Sequence, residues 1–320
     1  MRALQVTEFK APPQLVNLKR PEPGPGQVRI KIEACGLNFA DLLMIKGEYQ
    51  DTPAPPFTLG MELAGAVDAL GPGVTAPTLG QRVAVFGGQG GLADYALADA
   101  DAALPLPDAM PSGDAAAFQI AYGTSHMALV LRGALQASEK LLVLGAAGGV
   151  GLTAVEIGAV LGAEVIAVAR GAEKLAVAKA AGATHLLDAG DAHLAEKLKD
   201  LGGLDMVYDP VGGDLGQIAL RACKRGGRFI VIGFASGTVP EVKLNHIMVK
   251  NIAIHGFYWG GYLSFDPAPL RASLRALFDL YGAGKLRPHI GLTAPLEDAA
   301  AALEKLRKRE TTGKVVITMD

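Results

Sequence analysis

The chain has 320 residues, half of them hydrophobic, with 41 glycines and a formal net charge of −2 at pH 7. That length exceeds what one hydrophobic core usually serves and points to two domains, and the near-neutral charge advertises no basic face for nucleic acid. Two cysteines, Cys35 and Cys223, are too few for a disulfide framework or a four-cysteine zinc lobe.

The opening residues, MRALQVTEFK, lack the apolar core of a signal peptide. To about Pro111 the signals are strand-like. Gln27–Ala34 alternates polar and apolar residues with a period of two, and Glu62–Leu70, Arg82–Phe86 and Leu92–Leu97 are further short strands between Gly/Pro clusters. This pattern predicts a small, partly closed β-barrel, interrupted by one helix from Asn38 to Ile45. Phe118–Leu135 reads as helical and leads into the most informative stretch of the chain.

Leu141–Arg170 reads as strand, glycine turn, helix, strand: Leu141–Leu144, then Gly145, Gly148, Gly149 and Gly151, then Val150–Gly162, then Glu164–Ala169. In a βαβ unit such glycines let the backbone approach a diphosphate, and the amides at the helix start bind its charge. The spacing is Ala146-x-Gly148-x-x-Gly151, so Ala stands at the first position of the usual glycine fingerprint. Ala147, Gly148, Gly149 and Val150 are the candidate contacts. The second strand ends in Arg170, with Lys174 close behind and no carboxylate at its tip. Two cations there suit a ribose 2′-phosphate, hence NADPH rather than NADH. The apolar region around the turn is interrupted by Glu156 and Glu164 and is no membrane span. A soluble, cytoplasmic protein is expected.

Beyond Arg170 the alternation continues. Helices Glu173–Ala181, His193–Asp200 and Leu215–Cys223 alternate with strands Thr184–Leu187, Asp205–Tyr208, Arg228–Gly233 and Ile252–Phe257. Six strands alternating with helices make a doubly wound parallel sheet. Helices Leu270–Tyr281 and Leu296–Lys308 and a last strand, Lys314–Met319, form a tail too short for a third domain. The tail is expected to pack back on the barrel. The expected division is therefore 1–117 with 258–320, and 118–257.

Taken together, these features resemble the medium-chain dehydrogenase/reductase superfamily, in its zinc-independent, zeta-crystallin-like quinone oxidoreductase branch. The carriers are Gly36-Leu37-Asn38-Phe39-Ala40-Asp41, Gly60-Met61-Glu62, Ala146–Gly151, Val207-Tyr208-Asp209-Pro210-Val211-Gly212 and Thr312-Gly313-Lys314-Val315-Val316. The resemblance implies an α/β architecture: a GroES-like catalytic barrel and a Rossmann cofactor domain with the active site in the cleft between them. It also implies a homodimer or tetramer. Zinc relatives need a thiolate where Asn38 stands and an imidazole where Met61 stands, so no metal site is expected.

The resemblance assigns Asn38 and Asp41 to a polar pair beside the nicotinamide, although Asn-x-x-Asp at a helix start is also nearly a capping box. It makes Tyr49 a candidate active-site phenol and places Thr124 at the nicotinamide end. Gly233 and Phe234 lie where backbone commonly meets the cofactor, and Lys314 is a candidate phosphate contact as well as a plausible strand-edge charge. A Tyr that often supports the 2′-phosphate falls at Ala189 here. Phe257, Tyr258 and Trp259 would stack a flat substrate or cover a subunit interface. Without a Lewis acid, hydride transfer favours acceptors whose conjugation spreads the developing charge. The expected activity is NADPH-dependent reduction of quinones or related conjugated carbonyls. Alternatives are reduction of an enoyl or acryloyl thioester or a 2-alkenal, and a non-catalytic NADPH-binding role.

Overall fold

The strand Gln27–Leu37 is the spine of the first half of the chain. In the computed structural model, which describes residues 1–319, its first half pairs with Tyr95–Asp99 and its second half with Lys314–Thr318. Glu62–Leu70 runs antiparallel along almost its whole length. Arg82–Phe86, Leu104–Pro105 and Ile290–Pro295 complete a seven-stranded sheet. Val28, Ile30 and Ile32 share one core with Leu63, Val83 and Val85. Leu37, Leu42, Met44, Met61, Leu303 and Ile317 share another. The sheet is thus buried on both sides near Leu37, which is why the strand outruns its alternating segment by three residues. A smaller sheet orders Gln14–Asn17, Arg2–Val6 and Phe57–Thr58.

The second sheet has six parallel strands in the order His185–Asp188, Glu164–Ala169, Lys140–Leu144, Leu204–Asp209, Cys223–Val231, Ala253–Gly256. Its central strands are apolar runs buried almost throughout, as burial on both faces by crossover helices requires. The strand order reverses between Lys140–Leu144 and Leu204–Asp209, the place where open α/β sheets bind ligands. The helices Gly149–Val160, Ala172–Ala180, Leu194–Asp200 and Gly213–Ala222 fall within two residues of their expected starts. Among the described residues no helix is long and apolar enough to cross a membrane.

Among the differences from the sequence reading, three bear on how the units are built. The expected helix Phe118–Leu135 is an α-helix over Gln119–His126 followed by a wider turn over Met127–Arg132, whose end is marked by Gly133 N–H bonding Ala128 O. The strand expected at Leu92–Leu97 begins only at Tyr95, because the Leu92 amide and carbonyl are taken by Leu59 and Leu4. The compact units are Met1–Ile120 with Pro288 onward, and Ala121–Arg287. The sequence placed the second boundary at 257/258, whereas residues 258–287 belong to the unit of the parallel sheet and pack on the helix Gln119–His126. Trp259 lies against Gly123, where a Cβ would stand only 2.7 Å from the indole, and Ser273 Oγ meets His126 Nδ1 at 2.8 Å.

Candidate active site

In the first unit Asn38 caps the helix Phe39–Lys46, and Gly47 closes it in the left-handed conformation. Asn38 and Asp41 form the capping box that their spacing suggests, with the Asn38 N–H donating to Asp41 Oδ2 at 2.7 Å. The other carboxylate oxygen accepts the Gly60 N–H at 3.2 Å. Asp41 is fully buried, and that burial pushes its pKa up to about 6.

The Asn38 side chain belongs to a second set of bonds. Its Nδ2 donates to Gly36 O at 3.2 Å and to Glu62 Oε1 at 3.0 Å. Its Oδ1 accepts from Lys314 Nζ at 2.7 Å, which fixes the amide orientation because an ammonium only donates. Lys314 Nζ also donates to Leu37 O at 2.7 Å and Glu62 Oε1 at 2.8 Å. Glu62 Oε2 accepts the Ile120 N–H at 2.9 Å. Lys314 is 5% exposed and Glu62 not at all. The cluster is closed: both Asn38 amide protons and all three Lys314 protons have protein acceptors.

This geometry corrects one expectation. Lys314 is neither a phosphate contact nor a strand-edge charge, because its ammonium is buried and saturated by the barrel. Asn38 and Asp41 form the capping box that their spacing suggests, and both Asn38 amide protons are engaged inside the cluster. Glu62 is the residue the sequence reading passed over. Its signal was a carboxylate opening a strand whose other residues, Asp68 apart, are apolar or small. Tyr49 lies half-buried against the core that includes Leu42 and Met61.

In the second unit Gly145 takes φ +60, and Gly148 N–H turns back to Gly145 O at 2.9 Å. A Cβ on Gly151 would sit 2.1 Å from Gly145 O, so only glycine allows this turn to run into the helix Gly149–Val160. Leu152 N–H bonds Gly148 O at 2.8 Å. The amides before it, Gly149 to Gly151, form the helix's open first turn. Gly148 and Val150 therefore lie where the sequence reading puts a diphosphate, with Ala147 buried beneath.

Arg170 is exposed and Lys174 half-buried on either side of Gly171, which has φ +85. The Gly171 N–H donates to Asp188 Oδ2 at 2.7 Å, and Asp188 Oδ1 accepts the Gly190 N–H at 2.7 Å. These amides and the nearby Arg170 hold the Asp188 carboxyl below its usual range. Asp188 is a second residue missed by the sequence reading: it shapes the turn from the tip of the neighbouring strand. Asp209, at the end of the next central strand, accepts the Val211 and Gly212 amides at 2.8 Å each, and burial raises its pKa. Gly233 and Phe234 follow beside this loop: Gly233 N–H reaches Asp209 O at 3.3 Å, and Phe234 is exposed.

Thr124 is buried on the helix Gln119–His126. Its neighbour Ser125 bonds Val150 O at 2.9 Å, Thr153 Oγ1 at 2.8 Å and Tyr208 Oη at 3.0 Å. Phe257 and Tyr258 line a cavity of about 280 Å³ with Arg132, Gly256, Tyr262 and Phe265. Trp259 does not line it: it is buried against Gly123 and offers no open stacking face.

Two family models match the chain: the alcohol dehydrogenase GroES-like domain over residues 24–108 and the zinc-binding dehydrogenase over residues 149–278. Quinone oxidoreductase-like protein 2 of Bos taurus is 35% identical over 322 residues, covering 99% of this chain and 92% of that one. The quinone oxidoreductase of Thermus thermophilus, solved also as its complex with NADPH, is 36% identical, with full coverage of both chains and a TM-score of 0.89. The Escherichia coli quinone oxidoreductase, complexed with NADPH, is 29% identical over 99% of this chain and all of that one, with a TM-score of 0.91.

Proposed function

Given that the chain belongs to the quinone oxidoreductase branch of the medium-chain dehydrogenase/reductase superfamily, we propose that it is an NADPH-dependent reductase acting without zinc on quinones or related conjugated carbonyls. The observation that carries this reading is the pairing of the open amides at Gly149–Gly151 with Arg170 and Lys174 around Gly171. The donor set fits a diphosphate at the glycine turn and a third phosphate one strand away. Bound NADPH supplies a hydride to an electrophilic carbon of the acceptor.

The chain's own residues do the rest. Ala147 to Val150 receive the diphosphate, and Arg170 and Lys174 hold the 2′-phosphate. Gly233 and Phe234 border the cofactor at the carboxyl edge of the sheet, and Thr124 meets the nicotinamide end. Phe257 and Tyr258 give a flat acceptor an aromatic wall. Support for acting without zinc comes from Asn38 and Met61, which provide neither thiolate nor imidazole. The Lys314 ammonium, 2.7 Å from Asn38 Oδ1, is itself a cation that repels a dication. With no Lewis acid, a conjugated acceptor that delocalises its developing charge is the favoured substrate.

The assembly proposed is a homodimer through the outer edge of the parallel sheet. Ala253–Gly256 is an edge strand with exposed Ile254, and Leu244, Met248 and Val249 on the helix that precedes it in the chain are also exposed. A bare apolar edge of this kind invites a second strand.

The test is NADPH consumption, followed by absorbance in the presence of a chelator, with 1,4-benzoquinone, 9,10-phenanthrenequinone, a 2-alkenal and acryloyl-CoA. Turnover with the quinones is the expected result. Preference for the alkenal or thioester would move the substrate class to activated double bonds. Binding of NADPH without any turnover would make the protein a non-catalytic binder.

A further inference from the structure

The hydroxyls of Ser125, Thr153 and Tyr208 meet in the interior of the second unit. Ser125 and Thr153 are 0–5% exposed and Tyr208 is fully buried. Ser125 Oγ lies 3.0 Å from Tyr208 Oη, 2.8 Å from Thr153 Oγ1 and 2.9 Å from Val150 O. Thr153 Oγ1 lies 3.0 Å from both Ala121 O and Val150 O. The carbonyls only accept, and each hydroxyl has one proton. In every assignment that leaves no proton unused and no hydroxyl pair without one, Tyr208 donates to Ser125. The protons of Ser125 and Thr153 then run toward the backbone of the two helices.

The positions of these groups give the network a purpose beyond filling space. An Ala, Val and Phe in the same places would pack as well without desolvating three hydroxyls. Ser125 immediately follows Thr124. Val150 is in the first turn of the helix that follows the glycine turn, and Tyr208 immediately precedes Asp209, which shapes the next loop. One network thus fixes three pieces of backbone from which the cofactor's reactive half would be held, and none from which its adenosine half would be.

We propose that Ser125, Thr153 and Tyr208 are positioning residues that set the spacing between the glycine-turn amides and Thr124, and so act on the nicotinamide and diphosphate portion of NADPH. This rests on the NADPH reading above. Arg170 and Lys174, on a different strand and turn, have no part in the network.

The experiment compares two ligands by calorimetric titration of the full-length protein. NADPH carries both halves, whereas adenosine 2′,5′-bisphosphate lacks the nicotinamide half and keeps only the adenosine-side phosphate of the diphosphate. Tyr208→Phe removes only the donated proton and is expected to weaken NADPH about tenfold, the worth of a buried hydrogen bond, while leaving adenosine 2′,5′-bisphosphate within about twofold. Thr153→Val, which keeps the side-chain shape, is the second variant and should show the same split should Tyr208→Phe fold poorly. A purely structural role would lower the melting temperature and weaken both ligands equally or neither; either result, in a wild-type protein that binds NADPH, overturns the inference alone. A wild-type protein that does not bind NADPH overturns the cofactor reading and the inference with it.

Discussion

The two units each bury a polar cluster, and the clusters are built on opposite terms. In the barrel, Asn38, Asp41, Glu62 and Lys314 carry charge into the interior, and their donors and acceptors are matched within the protein. In the unit of the parallel sheet, Ser125, Thr153 and Tyr208 are neutral, and what they support is an open edge, the unpaired first turn at Gly149–Gly151. A closed cluster can fix a fold but has nothing left to offer a ligand. An open one, braced from beneath, can receive anions without losing internal bonds. The difference separates residues that look functional because they are polar and buried from residues that are available for binding.

Breaking the closed cluster should have the largest effect. Lys314→Met leaves the Glu62 carboxylate buried without its cation and should cost about 3–5 kcal/mol of stability in urea unfolding. NADPH affinity per folded molecule should hold. A loss of affinity with unchanged stability would return Lys314 to the cofactor site.

The cations Arg170 and Lys174 should respond the other way. Arg170→Ala with Lys174→Ala should weaken NADPH by about one to two orders of magnitude, as expected for losing two charge-assisted contacts, while NADH binding and the urea midpoint change little. Equal losses for both cofactors would remove the 2′-phosphate assignment.

The smallest effect is a pH dependence inside the closed cluster. Burial raises the Asp41 pKa from 3.8 to about 6, so the folded state binds more protons than the unfolded state between those values. Stability contributed by this group is present at low pH and declines as pH rises toward 6. Asp41→Asn removes the titration, so the stability of wild type relative to the variant should fall over that interval. A difference independent of pH would show that burial leaves the Asp41 pKa where it is in the unfolded chain.

How much of this was legible in the sequence follows the range of the interactions. The glycine turn could be read because Gly145 and Gly151 meet a local demand, a tight turn and a backbone contact that no Cβ survives. Arg170 could be read by counting from it. The Asn38–Asp41 spacing carried the capping box, whereas their place beside the nicotinamide came only from the resemblance. The bonds Asn38 makes to Glu62 and to Lys314, which lies 276 residues from it, could not be read from nearby residues. Trp259 resembled a stacking platform because Gly123, the backbone that receives it, lies far away in the chain. The strand Ile290–Pro295 went unrecognised because the pairing that makes it a strand comes from Lys314–Thr318, about twenty residues on. The helix Leu244–Lys250 went unrecognised because it has no buried face to give it a period.

The most direct measurement of the central claim is the cofactor preference of the unmodified protein, by parallel titration with NADPH and NADH. Tighter binding of NADPH, with the gap narrowing as salt rises because exposed phosphate contacts are screened, is the result this reading requires. Equal affinities, or tighter binding of NADH, would contradict it.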